Sequence, residues 1–305
     1  MDISRTRLLL SLAMGITAVS LAAILIRMAQ GAGMGTLPIA AWRLAFASLI
    51  LVPYAWLTRR EEMRGLSRRE LGLLAISGVF LGLHFAAWIG SLGYTSVASS
   101  VVLVSMGPVF VGLGSWLFLR ERPGLLLTVG IALAAAGSVV ISWGDLGRGQ
   151  DQLLGDLLAL AGAVMVAGYL MIGRKVRGRL TLATYVAVVY GAAMVALLLI
   201  VLVGRQPLLG FQPEAYFWVL ALALGPQVVG HSTLNWALRY LSATFVSIVT
   251  LAEPIGSGLL AYLLLDEPVT ISTLTGGVLV LTGIYIASRA ELVTARRQGA
   301  GQAAG

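Results

Sequence analysis

Long apolar runs alternate with short polar stretches along almost the whole chain. A bilayer hydrocarbon core about 30 Å thick needs roughly 20 apolar residues per helix. Cutting at charges and at Gly, Pro and Asn punctuation leaves ten runs of that size. They lie near residues 7–28, 37–57, 70–92, 96–119, 124–143, 153–173, 181–203, 215–238, 242–265 and 269–288. Each predicts a membrane-spanning helix. The first, uncharged from Leu8 to Ile26 behind Arg5 and Arg7, is longer than a typical signal-peptide core and fits a spanning helix better. The polar tail from Ala290 predicts disorder.

The pattern is written twice. Shifting the chain by 146 lays Tyr94–Glu121 on Tyr240–Glu267, with Tyr94/Tyr240, Ser96/Ser242, Pro108/Pro254, Gly112/Gly258 and Glu121/Glu267 among the identities. The register continues through Gly130/Gly276, Gly137/Gly283 and Ser142/Ser288. Such self-similarity marks a duplicated unit. The predicted organisation is a five-helix repeat over 1–144, an external linker loop at 145–152, a second repeat over 153–289 and a cytoplasmic tail at 290–305.

Composition agrees that lipid is the solvent: 58% of the 305 residues are hydrophobic, 11% are charged and mean hydropathy is +0.92. The net charge of +8 brings nucleic acid to mind, but the basic residues are scattered through short loops, which is the pattern of membrane orientation and not of a phosphate groove. Seventeen of the 21 Lys and Arg fall in loops of one side, and only Arg148 and Arg205 fall in the opposite loops. The positive-inside rule then puts both termini in the cytoplasm. An odd number of helices per repeat turns the second copy upside down. Arg120-Glu121-Arg122 accordingly ends the fourth helix on the basic side, while Asp266-Glu267-Pro268 ends the ninth without either arginine. The predicted fold is an all-α integral membrane protein of ten helices, built as two inverted repeats around a central cavity, as in carriers that open alternately to each side. With no cysteine, disulfides and thiol chemistry are excluded, and no glycine-rich GKS or GKT sequence offers an ATP site.

Arg43 in AAWRLAFASLIL, the run SVASSVVLVSMGPVF, the helix end LFLRERP and the second-half counterparts LAEPI and LLLDEP together resemble the EamA-type members of the drug/metabolite transporter superfamily. The resemblance spans roughly residues 8–288 and implies a carrier of the bacterial inner membrane that exports amino acids or related metabolites. One departure is Gly107 in the first copy, where the second has Glu253.

Several polar residues inside the predicted spans are candidates for transport. Glu253 is the only acid placed well inside a predicted helix, and a carboxylate in hydrocarbon is costly unless paired or neutral. Pro254 beside it frees the carbonyl of Thr250 and leaves an irregular polar spot. Glu253 reads either as a proton-coupling or ammonium-binding group or as a packing residue bonded to a neighbouring helix. Gln227, His231 and Asn235 recur every four residues on the eighth helix; Ser77, Phe80, His84, Trp88 and Ser91 share a face of the third. These stripes predict the two ends of one pathway, His84 and Trp88 outward and His231 and Asn235 toward the cytoplasm. A bland alternative for each histidine is a neutral ring satisfied by a neighbour. Trp88, with Phe80 and Trp236, suits an aromatic or neutral substrate, or else belongs to the interfacial belt. Arg43, a turn and a half inside its helix, captures an anion or pairs with an acid, whereas Arg27 snorkels to the headgroups or else meets a carboxylate. Glu121 and Glu267, each before a proline at a helix start, read as ordinary helix-end acids. The glycines at 130, 137, 276, 277 and 283 offer small-residue faces through which the fifth and tenth helices approach each other or their neighbours.

The function expected from these residues is secondary export of a small metabolite, foremost an amino acid, by alternating access. The protein is expected to be monomeric, with protons as the coupling ion and no cofactor, metal or nucleic acid. A drug or organic-cation exporter is the nearest alternative. A passive channel and an intramembrane enzyme follow, the latter lacking paired acids or an activated nucleophile.

Overall fold

The computed structural model describes residues 4–95, 97–119, 124–143 and 151–265, together with 271–272, 274–279, 281–283, 285–286 and 289. Among these residues the chain is helical and contains no strand. The linker around 145–150, the acids Glu121 and Glu267 with their flanking charges, and the tail from Ala290 lie outside the described residues.

The apolar runs become helices close to their predicted places. The first span combines α1 (Arg5–Ser20) and α2 (Ala22–Gly31), joined at Leu21; α3 (Thr36–Thr58) follows, then a short α4 (Arg60–Arg64) and α5 (Arg68–Ser91). Next come α6 (Val97–Val104), α7 (Gly107–Leu119), α8 (Leu125–Trp143), α9 (Gln152–Arg177) and α10 (Leu182–Val203). The next span opens as α11 (Pro213–Leu222), widens into a π-helix over Ala223–His231 and closes as α12 (Ser232–Ala237). Then α13 (Ala243–Val249), a 3₁₀ turn at Thr250–Ala252 and α14 (Glu253–Leu265) complete the described sequence of elements. Among the described residues seven helices are long and apolar enough to cross a membrane, and shorter apolar helices cover Leu125–Gly137 and Leu274–Gly283.

Helix starts follow the hydroxyl side chains. Ser4, Ser67, Thr181 and Ser242 each accept a backbone N–H of the first turn, and Ser67 with Glu70 closes a reciprocal capping box. The repeated proline has the same local effect in both copies. Pro108 and Pro254 stand at the second positions of α7 and α14, each behind a break in the helix. Pro254 has no N–H for the carbonyl of Thr250, which takes the amide of Glu253 instead and tightens the chain into the 3₁₀ turn. Pro226 similarly removes a donor inside the π-helix, where the Ser232 amide reaches back five residues to the Gln227 carbonyl.

The two copies interleave. From the first copy, α5 packs along α9 and α10 of the second, and α10 lies against α3; the π-helix meets α1 and α3, and α14 packs on α1. Glycine sets a close crossing: a Cβ on Gly78 of α5 would stand 2.5 Å from the Val189 carbonyl oxygen and the Ala192 Cβ on α10. A Cβ on Gly283 would stand 2.6 Å from the Gly130 carbonyl oxygen, so the fifth and tenth predicted segments do approach through their small residues. Outside, large apolar side chains face away from the protein, among them Leu57, Leu125 and Val203 at 82%, 80% and 84% exposure. In water such a surface is an aggregation hazard; in lipid it is the solvated face.

Candidate functional site

A narrow cavity of about 50 Å³ lies where α1, α5, α6, α9, the π-helix and α13–α14 meet. Its polar wall includes His84, Trp88, Tyr169, His231 and Glu253 with the hydroxyl residues Ser105, Ser247 and Thr250, and apolar residues such as Val19, Val104 and Val166 complete it. His84 and Trp88 therefore share one chamber with His231, not the far end of a pathway. The reason is a chain of rings: His84 contacts Phe85 at 4.8 Å between centroids, and Phe85 meets His231 edge-on at 5.2 Å. On its other side His84 stacks with Trp88 at 6.0 Å, nearly parallel. Nδ1 of His84 lies 3.0 Å from the Gly162 carbonyl oxygen. A carbonyl only accepts, so Nδ1 carries the hydrogen and Nε2 is the nitrogen left to take a hydrogen bond or a proton.

Behind this wall sits Arg43, fully buried, with its guanidinium carbon 4.0 Å above the Phe85 ring. Its Nε donates to Oε1 of Gln227 at 2.8 Å, while Nη1 and Nη2 have no hydrogen-bond partner. Nε2 of Gln227 and Nε1 of Trp88 are also buried without a partner. All four of these atoms are donors, and the Ser48 hydroxyl is a fifth buried group with no hydrogen-bond partner among the described residues. Leaving a buried donor unmade costs about 1–3 kcal/mol, more for a charged one, and an acceptor-rich partner would offset that cost. Glu253, at the first position of α14, lines the same chamber.

The polar stripe on the eighth predicted helix divides its contacts. Its four-residue spacing assumes α-helical winding, and the π-helix over Ala223–His231 departs from that winding between Gln227 and His231. His231 lines the cavity, Gln227 holds Arg43, and Asn235 accepts from the Tyr169 hydroxyl at 2.5 Å while donating to the Tyr190 hydroxyl at 3.2 Å. Phe80 is also away from the cavity wall, packed where a Cβ on Gly168 would meet it at 3.0 Å. Thus His84, Trp88, His231 and Glu253 come together, Arg43 and Gln227 stand behind them, and Asn235 and Phe80 brace the surroundings. Ser77 and Ser91 are buried in contacts with Tyr185 and Ser100. Arg27 reaches the Thr95 carbonyl oxygen in the turn after α5, with Nη2 3.4 Å away.

Reading the sequence alone misses Phe85, Tyr169 and Tyr190. The available signal for the tyrosines was their place well inside apolar runs, away from the ends where aromatic belts fall. Phe85 carried no such signal.

A multi-pass helical membrane protein with a polar chamber between its two copies defines the class. The family model for the EamA-like transporter family matches residues 7–143 and again 153–289, and the chain belongs to that family. It is 26% identical to an uncharacterized transporter of Archaeoglobus fulgidus over 287 residues, covering 93% of this chain and 97% of the other. A second uncharacterized transporter of that organism is 30% identical over 264 residues, covering 82% and 88%. The WAT1-related protein At4g01430 of Arabidopsis thaliana is 24% identical over 301 residues, covering 86% and 81%. One protein of known crystal structure superimposes with a TM-score of 0.75 over 95% of this chain and 99% of its own, at 19% identity, a likeness of fold alone.

Proposed function

We propose that this transporter exports small zwitterionic metabolites, foremost neutral or aromatic amino acids, by alternating access from the cytoplasm of a bacterial cell. On this reading ten helices form two inverted repeats over 1–144 and 153–289, joined by an external 145–152 linker. Both termini are cytoplasmic and protons are the coupling ion. The observation that carries the proposal is the pairing of orphaned donors with an acid: Arg43, Trp88 and Gln227 offer unpartnered N–H groups beside a chamber that Glu253 lines. A substrate carboxylate would occupy the Arg43 side and its ammonium the Glu253 side, with Trp88 and the His84 ring giving flat apolar contact. Glu253 would release the ammonium on taking a proton. Since ligand sites are commonly about 300–1,000 Å³, the chamber must widen to admit cargo. That widening would be the opening to one face.

Purified protein in liposomes, loaded with labelled amino acids, organic amines and sugars, tests the proposal. Saturable amino-acid flux that Arg43→Met removes supports it. Saturable flux of amines lacking a carboxylate, untouched by Arg43→Met, would instead establish an organic-cation exporter, the reading that Glu253 and the aromatic wall also favour.

A further inference from the structure

A second, larger recess lies away from the chamber, at the end of the molecule where α5 begins and α9 stops. It has a volume of about 300 Å³ and is lined by Ser67, Arg69, Glu70, Leu73, Lys175, Val176 and Arg179. Arg69 belongs to the first copy and Lys175 and Arg179 to the second, so the recess forms only where the two meet. Its single acid is already engaged: Oε2 of Glu70 accepts from the Ser67 backbone N–H at 3.0 Å and from its hydroxyl at 2.6 Å. Three cations against one acid leave two positive charges in excess.

Neighbouring cations are used up by the fold. Arg174 donates to the Leu238 carbonyl oxygen, Arg177 to those of Asn235 and Leu180, and Arg60 and Arg64 lie over the Trp56 ring. Arg69, Lys175 and Arg179, by contrast, make no side-chain hydrogen bond to any described residue; Arg179 only faces Glu70 through its charge.

We infer that this recess binds a phosphate group, with the guanidinium forks of Arg69 and Arg179 and the ammonium of Lys175 sharing its oxygens. Two planar forks and a point charge suit a tetrahedral anion with several acceptor oxygens better than they suit a single carboxylate. The recess sits where the apolar spans of α5 and α9 end, the level at which a bilayer crossed by those spans would place its headgroups, and Leu73 and Val176 are its apolar lining. Basic pockets between helices at this level take anionic lipid headgroups. The same chemistry also admits free phosphate. The inference is independent of what the central chamber carries.

Full-length protein in detergent, titrated with phosphatidylglycerol or phosphatidylcholine and read by native mass spectrometry, tests it. Bound phosphatidylglycerol should weaken about fivefold for each charge removed in Arg69→Gln, Lys175→Gln and Arg179→Gln, singly and together. A control carrying Arg7→Gln, Arg60→Gln and Arg64→Gln removes equal charge elsewhere on the same end and should bind as the parent does. A parallel arm measures protection from thermal unfolding by millimolar inorganic phosphate. Phosphate protection lost in the recess variants, without lipid retention, assigns the site to free phosphate. Unchanged lipid and phosphate binding in the recess variants, or an equal loss in the control, overturns the inference.

Discussion

Arg43 is where single-residue chemistry is most exposed to test. Hydrogen bonds to charged groups contribute about 1.5–3 kcal/mol, so Arg43→Met should raise the KM for a carboxylate-bearing substrate by roughly 10- to 100-fold. The same change orphans Oε1 of Gln227, so a fall in melting temperature is expected alongside it, and Gln227→Leu on that background should recover part of the loss. For Glu253→Gln, pH-driven uptake should vanish while substrate exchange persists; unchanged pH dependence would reduce the residue to packing. At this scale the sequence was a good guide to the identity of the polar residues and a poor one to their partners. Glu253, His84, Trp88 and His231 stood out because lipid makes an intramembrane polar group conspicuous. The place of Arg43 over Phe85, and the bonds of Asn235 to Tyr169 and Tyr190, join residues brought together only by packing across helices.

At the level of whole elements, spans were legible because a bilayer fixes helix length and because charges and Gly, Pro and Asn punctuate the runs. Pro254 likewise forecast its break. The π-winding over Ala223–His231 was hidden, since proline signals a lost donor without saying how the chain will absorb it. The α5–α10 crossing gives a sharp prediction: Gly78→Leu should destabilise the protein by about 1–3 kcal/mol or more, read as a lower melting temperature in detergent. A second contact joins α4 to the start of α10. Glu62 accepts from the Thr181 amide at 2.7 Å, and from the Thr181 and Thr184 hydroxyls at 2.5 and 2.8 Å, across 119 and 122 residues. Burial raises the pKa of this carboxyl, but these hydrogen bonds and the charge of Arg59 outweigh that and hold it below its ordinary 4.5. The contact therefore contributes its full stability above that ordinary value and loses it as pH falls through the lowered one. Melting temperatures should fall more steeply with acidification in the parent than in Glu62→Gln, which starts lower and varies less.

For the molecule as a whole, the duplication was readable from residue identities alone, and the family match falls on both copies. Orientation is the point still open to direct measurement. Impermeant labelling of single cysteines, introduced into this cysteine-free chain, should find Gly305 and the 145–150 stretch on opposite sides of the membrane. Labelling from the same side would remove the inverted arrangement and the carrier proposal with it.

The interleaving of α5 with α9 and α10 also bears on how the chain is made. Helices of the earlier half leave the ribosome before the surfaces that will clasp them exist, so final docking must wait for the later half to be inserted. Severed near residue 148, the polypeptide should give two fragments that are degraded when synthesised alone and recover a working protein when synthesised together.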